Sequence, residues 1–259
     1  MPERHQVELD PVEGRGWFDG RSQAMHRHSQ GQLIYPTAGA LAVTTARGTW
    51  VAAANGVAWT PAGFEHCHRA PARTEVVALM IPGELCTGLP EQPAVLGVSG
   101  LLREAMLALT AGRVLRPQAR DRLLGVVVDE LTGAAQQSLY LPEPRDGRLR
   151  AVTELLRSDL TDPRTLSELG RQVGASARTL SRLFHAELGM SFHQWRTQLR
   201  VQHALVLLWQ GRSVTQTATL CGWSNPSGFV DAFSAIVGQT PGRYQATQHQ
   251  PAAQPIAVR

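Results

Sequence analysis

Two groups of residues in this 259-residue chain have the types and spacing that chemistry needs. The first is Arg178, Ser181 and Arg182. They are left pointing outward when Leu180, Leu183 and Phe184, at i, i+3 and i+4, take the inner stripe of a helix. Guanidinium forks donate to guanine edges and to phosphates, so this face suits a nucleic acid. The second group is the pair His26-x-His28. On a strand, alternate residues share a face, so both imidazoles aim the same way. A hydrogen-bonded surface pair is the plainer reading of the same spacing.

The arginine face needs a scaffold, and the surrounding residues specify one. Thr165 with Glu168 is a capping box, Gly174 stops that helix, and Ser176 caps the next, which makes a helix-turn-helix. The plan repeats downstream. Ser213 and Gln216 form the box, Gly222 the break, and Asn225 caps a helix with Pro226 at its first position. Between the copies, Ser191 and Gln194 cap a long helix that runs to Gly211 and holds the two modules in a fixed relation.

This tandem arrangement, closed by GQTPGRYQ at 238–245, resembles the DNA-binding domain of the AraC/XylS family of transcription regulators over residues 147–245. The resemblance implies double-stranded DNA as partner, with the second helix of each motif in the major groove. Arg178, Ser181 and Arg182 would be the first reader, and Asn225, Pro226, Ser227, Gly228 and Asp231 supply the second. Asp231 stands where the family more often has a basic residue, so most base-reading energy is expected from the first module. Arg196 and Arg200 are expected to contact phosphates. The resemblance also implies a homodimer and a contact with RNA polymerase.

From Trp17 to Pro82 the pattern changes to short β-prone runs, QLIYP, ALAVTTARG, TWVAAANG, VAWTPAG and EVVALMIP, punctuated by Gly and Pro. Within it, Gly20, His26, His28, Gln32 and Gly39 resemble the first cupin motif, and Pro61, Gly63 and His66 the second. That resemblance implies a jelly-roll barrel whose mouth gathers His26, His28, Gln32 and His66 around a divalent metal or an organic effector. Gln32 occupies the usual carboxylate position and is a poorer ligand. His5 and His68 have no assigned role. Two other readings stay open: a metal-dependent cupin enzyme fused to a DNA-binding domain, and a constitutive DNA-binding protein whose barrel is a scaffold.

The expected fold class is therefore α+β in two domains. Residues 1–137 form a small β-barrel (cupin or jelly roll) with flanking helices over 93–112 and 117–137, sensing an effector and pairing subunits through Leu123, Val127 and Leu131. Residues 138–147 form a linker, 148–245 the all-α tandem helix-turn-helix domain, and 246–259 a disordered tail. Charge follows the same division: up to residue 145 there are 13 Arg against 14 acids, and beyond it 12 Arg against 7. The positive half bears the motifs, as phosphate binding requires. Cys67, Cys86 and Cys221 are odd in number and have no CxxC spacing, so neither a disulfide framework nor a cysteine zinc site is suggested. With neither an apolar leader nor a span of about 18 apolar residues, no membrane partner and a cytoplasmic location are expected.

Overall fold

The computed structural model describes residues 14–18, 24–53, 55–71, 74–112, 114–137 and 139–248. Their strands are β1 (Gly14–Phe18), β2 (Gly31–Ala38), β3 (Ala40–Thr45), β4 (Gly48–Ala53), β5 (Gly56–Thr60), β6 (His66–Arg69), β7 (Thr74–Ile81), β8 (Ala94–Gly97) and β9 (Tyr140–Pro142). The helices are α1 (Gly100–Leu109), α2 (Pro117–Thr132), α3 (Gly147–Ser158), α4 (Leu166–Gln172), α5 (Ala177–Leu188), α6 (Phe192–Trp209), α7 (Val214–Leu220), α8 (Pro226–Val237) and α9 (Pro241–Gln248).

The strands form two antiparallel sheets, one in the order β1-β7-β2-β5-β8 and the other β6-β3-β4-β9. The β-rich first half is thus as expected, with the hydrogen bonding of the described residues divided between two sheets and not closed into one barrel.

Side-chain alternation turns these sheets into inner layers of a stack. In the five-stranded sheet, Leu33, Tyr35, Val57, Trp59, Val77 and Leu79 pack under α1 and α2. Their neighbours Ile34, Ala58, Val76 and Val95 face the other way, onto Leu41, Val43, Trp50 and Ala52 of the four-stranded sheet. Both faces of β2 are therefore covered, so its sequence is a nearly continuous apolar run. Space at its start is tight: a Cβ at Gly31 would strike the Trp59 indole, whose Nε1 donates to Pro90 O at 2.8 Å.

The outer face of the four-stranded sheet is covered as well. Ala40, Val51 and Ala53 share one apolar cluster with Val201, Ala204, Leu205 and Leu208 of α6 and with Phe229 and Phe233 of α8. Within this seam the buried Gln202 donates through Nε2 to Leu139 O at 3.1 Å. Asn55 Nδ2 reaches Val237 O at 3.4 Å, and the Gly39 backbone lies against the Trp209 indole. The first helix-turn-helix has a separate core of Leu149, Val152, Leu169, Leu180, Phe184 and Trp195.

Four expectations are corrected. The helix placed over 93–112 begins only at Gly100, because Ala94–Gly97 is a buried strand paired with β5. A short apolar run does not distinguish a buried strand from a helix. The linker at 138–147 is instead an anchored joint: β9 pairs with β4, and Leu139 and Leu141 enter the two helical cores. Trp195 Nε1 donates to Pro142 O, Arg157 forms a bidentate ion pair with Glu143, and Glu187 accepts from the amides of Arg145 and Asp146. The tail assignment fails for 246–248, which end α9; 249–259, like 1–13, lie outside the described residues.

The fourth correction concerns subunit pairing. Val127 and Leu131 are fully buried against the five-stranded sheet and Leu123 packs beside them, so this stripe covers the core. Among the described residues no helix is long and apolar enough to cross a membrane. Val127→Asp should unfold the protein, by about 3 kcal/mol or more for an unpaired buried charge. Urea denaturation would register this as a lowered midpoint; a fully folded monomer with wild-type stability would reinstate the stripe as a subunit contact.

Candidate nucleic-acid interface and histidine cluster

The reading helices are set by local chemistry that the structure reproduces. Thr165 Oγ1 accepts from Glu168 N while Glu168 Oε2 accepts from Thr165 N, which closes the capping box of α4. Gly174, at φ +66°, makes the turn, and Ser176 caps α5 by accepting from Thr179 N at 3.1 Å. Leu180, Phe184 and Leu188 face inward, leaving Arg178, Ser181 and Arg182 on the exposed side. The second module repeats this with Ser213, Gln216 and Gly222. At Gly222 a Cβ would lie 2.5 Å from Leu160 O, so the turn requires glycine.

In α8, Phe229, Phe233 and Val237 form the buried stripe, with Val237 taking the place expected for Ile236. Ser227 and Asp231 are exposed and Gly228 half-buried. Asn225 Oδ1 accepts from Gly228 N at 2.8 Å, so Asn225 is committed to capping through that atom. The second module therefore offers a small, uncharged helix start and one carboxylate, where the first offers two guanidinium groups.

Arg196 and Arg200, expected to contact phosphates, both serve as internal staples. Arg196 Nη1 donates to Arg164 O at 3.0 Å and Nη2 to Asp162 O, with the guanidinium stacked over Phe192. Arg200 Nε donates to Leu160 O at 2.9 Å and its guanidinium lies over Trp223. Both are half-buried and bind α6 to the loop before α4. A helix-face pattern shows only that these side chains lie off the apolar stripe; their acceptors come from a loop some 30 to 40 residues away.

A second cluster lies at one end of the sheets. His26 and His66 form an isolated antiparallel bridge, with His26 N to His66 O at 2.9 Å and His66 N to His26 O at 2.8 Å. The bridge ties the segment before β2 to β6 across the two sheets. Ring centroids of His26 lie 4.9, 4.5 and 5.4 Å from those of His28, His66 and His68. Three of the four residues named from the sequence, His26, His28 and His66, are thus brought together. The fourth, Gln32 on β2, places its carboxamide 3.0 Å from His66 Nε2.

His68 is the member that sequence reasoning left without a role. Its signal was present: His66-x-His68 repeats the one-residue spacing of His26-x-His28, and β6 turns both imidazoles inward. His66 and His68 are buried at 1% and 2% exposure. Burial pulls His68 well below the usual imidazole value and His66 down to about 4, and neighbouring imidazoles add to both effects. Burial, then His26, lowers His28 as well.

Hydrogen bonding determines which nitrogens remain open. A carbonyl can only accept, so His26 Nδ1 donates to Ala24 O and His66 Nδ1 to Phe64 O, each at 2.8 Å. A neutral His66 then has only a lone pair at Nε2, where Gln32 meets it. This is a hydrogen bond only when the Gln32 carboxamide turns its NH2 toward the ring. His28 Nε2 is buried without a hydrogen-bond partner.

Comparison with known proteins follows the same division. A helix-turn-helix domain model matches residues 169–247. The HTH-type transcriptional regulator NimR of Escherichia coli K12 is 32% identical over 248 residues, covering 95% of this chain and 90% of that protein. RipA of Corynebacterium glutamicum, also an HTH-type transcriptional regulator, is 38% identical over 108 residues, 42% of this chain and 32% of RipA. Among solved structures, a regulator with an AraC-type DNA-binding domain from Chromobacterium violaceum is 28% identical, covers 40% of this chain and 95% of that one, and gives a TM-score of 0.38.

Arg200→Ala should lower stability by about 1–2 kcal/mol through the lost backbone bond and stacking, leaving the salt dependence of DNA binding unchanged. Arg178→Ala should do the reverse, with stability within about 0.5 kcal/mol and, if Arg178 meets phosphate, a salt slope reduced by roughly 1. Urea melts beside DNA titrations at several salt concentrations check both; a reduced salt slope for Arg200→Ala would return it to the interface.

Proposed function

This chain belongs to the AraC-type helix-turn-helix transcription regulators, DNA-binding proteins that control transcription, and from that premise we propose that it is a one-component sensor. In this reading the two N-terminal sheets bind a small ligand or a metal ion, and the state of that site biases how the α5 and α8 readers are presented to an operator. The observation that carries the reading is the apolar seam between the four-stranded sheet and α6. A sheet that shares a core with the helix joining both modules cannot be rearranged without consequence for them.

The reading division is part of the same proposal. Arg178, Ser181 and Arg182 supply base contacts and phosphate attraction, while Ser227, Gly228 and Asp231 bring α8 close to the groove and orient it. An Asp can accept from a cytosine amino group but repels phosphate, so its contribution is discrimination more than affinity. A homodimer on the operator, contact with RNA polymerase and a cytoplasmic location follow from the family resemblance. The α2 stripe gives the homodimer no support.

An effector can shift the equilibrium between presentations only by its differential affinity for them. Arg182→Ala should weaken binding to the chain's own operator by about 1–3 kcal/mol while leaving binding to unrelated DNA much less affected. Equal losses on both would make Arg182 a phosphate contact. Operator titrations with and without divalent ions and small organic molecules test the sensor. Operator affinity indifferent to all of them would leave a constitutive DNA-binding protein on a β scaffold.

A further inference from the structure

The geometry points to a site for one first-row divalent transition-metal ion, of the nickel, copper and zinc class, ligated by His26, His66 and His68 through imidazole nitrogen alone. The inference deepens the sensing reading above. It rests on that reading for what the ion does to DNA binding, not for whether the ion binds.

Donor placement comes first. One ligand atom from each of the three residues lies within 4.8 Å of the others. A tetrahedral ion with bonds of about 2.0–2.1 Å sets nitrogen separations near 3.3 Å, which small ring rotations supply. The backbone ladder already holds the segments together, since His26 and His66 pair amide to carbonyl in both directions. His66 and His68 are alternate residues of one strand, so a single pleat presents both.

Donor chemistry agrees. His26 and His66 each use Nδ1 on a backbone carbonyl, which fixes the tautomer with a lone pair at Nε2. This is the outer-shell anchoring that metal-bound imidazoles require. The imidazole rings pack with centroids 4.5, 5.2 and 4.9 Å apart for the pairs His26–His66, His28–His66 and His66–His68, so ring nitrogens converge on one cavity. His28 packs its ring against His66 in the same cluster and leaves Nε2 buried without a hydrogen-bond partner.

The assignment changes two roles from the sequence reading. His68 becomes a ligand. Gln32, whose carboxamide lies 3.0 Å from His66 Nε2, meets the same lone pair the ion needs and must turn away from it on loading. An all-imidazole donor set selects nickel, copper or zinc over magnesium or calcium, which prefer oxygen. Cys67, between the two histidines of β6, points to the opposite face and takes no part.

The ion would also bridge the layers. His26 precedes β2 of the five-stranded sheet, whereas His66 and His68 lie in β6, which pairs with β3. Strand β3 contributes Ala40 to the seam with α6. Loading therefore ties the segment before β2 to β6 at the Thr45 end of β3, opposite the end that holds Ala40.

The test uses the full-length chain, purified without an affinity tag and stripped by a chelator. Zinc, nickel and copper are then titrated in competition with a chromophoric chelator, with the melting temperature followed in parallel. Wild type should bind roughly one ion per chain and melt higher when loaded. His68→Gln should lose at least about 100-fold in affinity, whereas Gln32→Met, which frees His66 Nε2, and Cys67→Ser should lose nothing. Circular dichroism of each apo variant separates a lost ligand from a lost fold. If His68→Gln does not fold, the half-buried His26→Gln carries the same comparison. A wild type that takes up none of the three ions, or a folded His68→Gln that binds as tightly as wild type, overturns the site. A loaded protein whose operator affinity does not move keeps the site and overturns its role as sensor.

Discussion

The seam between the four-stranded sheet and α6 is the interaction on which the organisation of this molecule depends. It makes the sheet a middle layer, covered on one side by the five-stranded sheet and on the other by the helices that carry the DNA readers. The residues facing α6 on β3 and β4 are Ala40, Val51 and Ala53, small enough for a helix to approach the pleat closely. Because α6 also carries Trp195 and Leu199 into the core of the first module, one helix is shared by the seam and by both readers. Residues 139 and 141 extend this sharing: one stretch of chain sends Leu139 into one helical core and Leu141 into the other.

What could be read in the sequence was what local chemistry decides. The capping boxes at Thr165 and Ser191, the glycine turns at Gly174 and Gly222 and the inner stripe of α5 each follow from a few consecutive residues, and the structure has all of them. What escaped was decided by partners distant in sequence. Nothing beside Arg200 announces Leu160 O or the Trp223 ring as its partners. Residues 138–147, with two prolines and an Asp-Gly, look like a tether, and only the open edge of β4 makes three of them a strand.

The histidine cluster was half legible for the same reason. Motif spacing brought His26, His28 and His66 together on the page, but His68 becomes relevant only once His66 and His68 are known to lie on a strand with both rings turned inward. The capping network shows a different economy. Asn225 spends its side-chain oxygen on Gly228 N, and Arg196 its guanidinium on two backbone carbonyls. Some polar residues of the helical half are thus committed to holding its helices in place, while Arg178 and Arg182 stay exposed on α5.

The bond from Gln202 to Leu139 gives the seam a mechanical character. Apolar side chains alone would let α6 slide along the sheet in small increments at little cost. A buried amide donor penalises such shifts, because Gln202 Nε2 would stand unsatisfied until another acceptor came into range, while Leu139 O keeps its bond from Val51 N. The next equivalent position of the helix is a full turn away, about 5.4 Å. The joint between sheets and readers therefore has a preferred seat, set by a directional bond within an otherwise apolar contact.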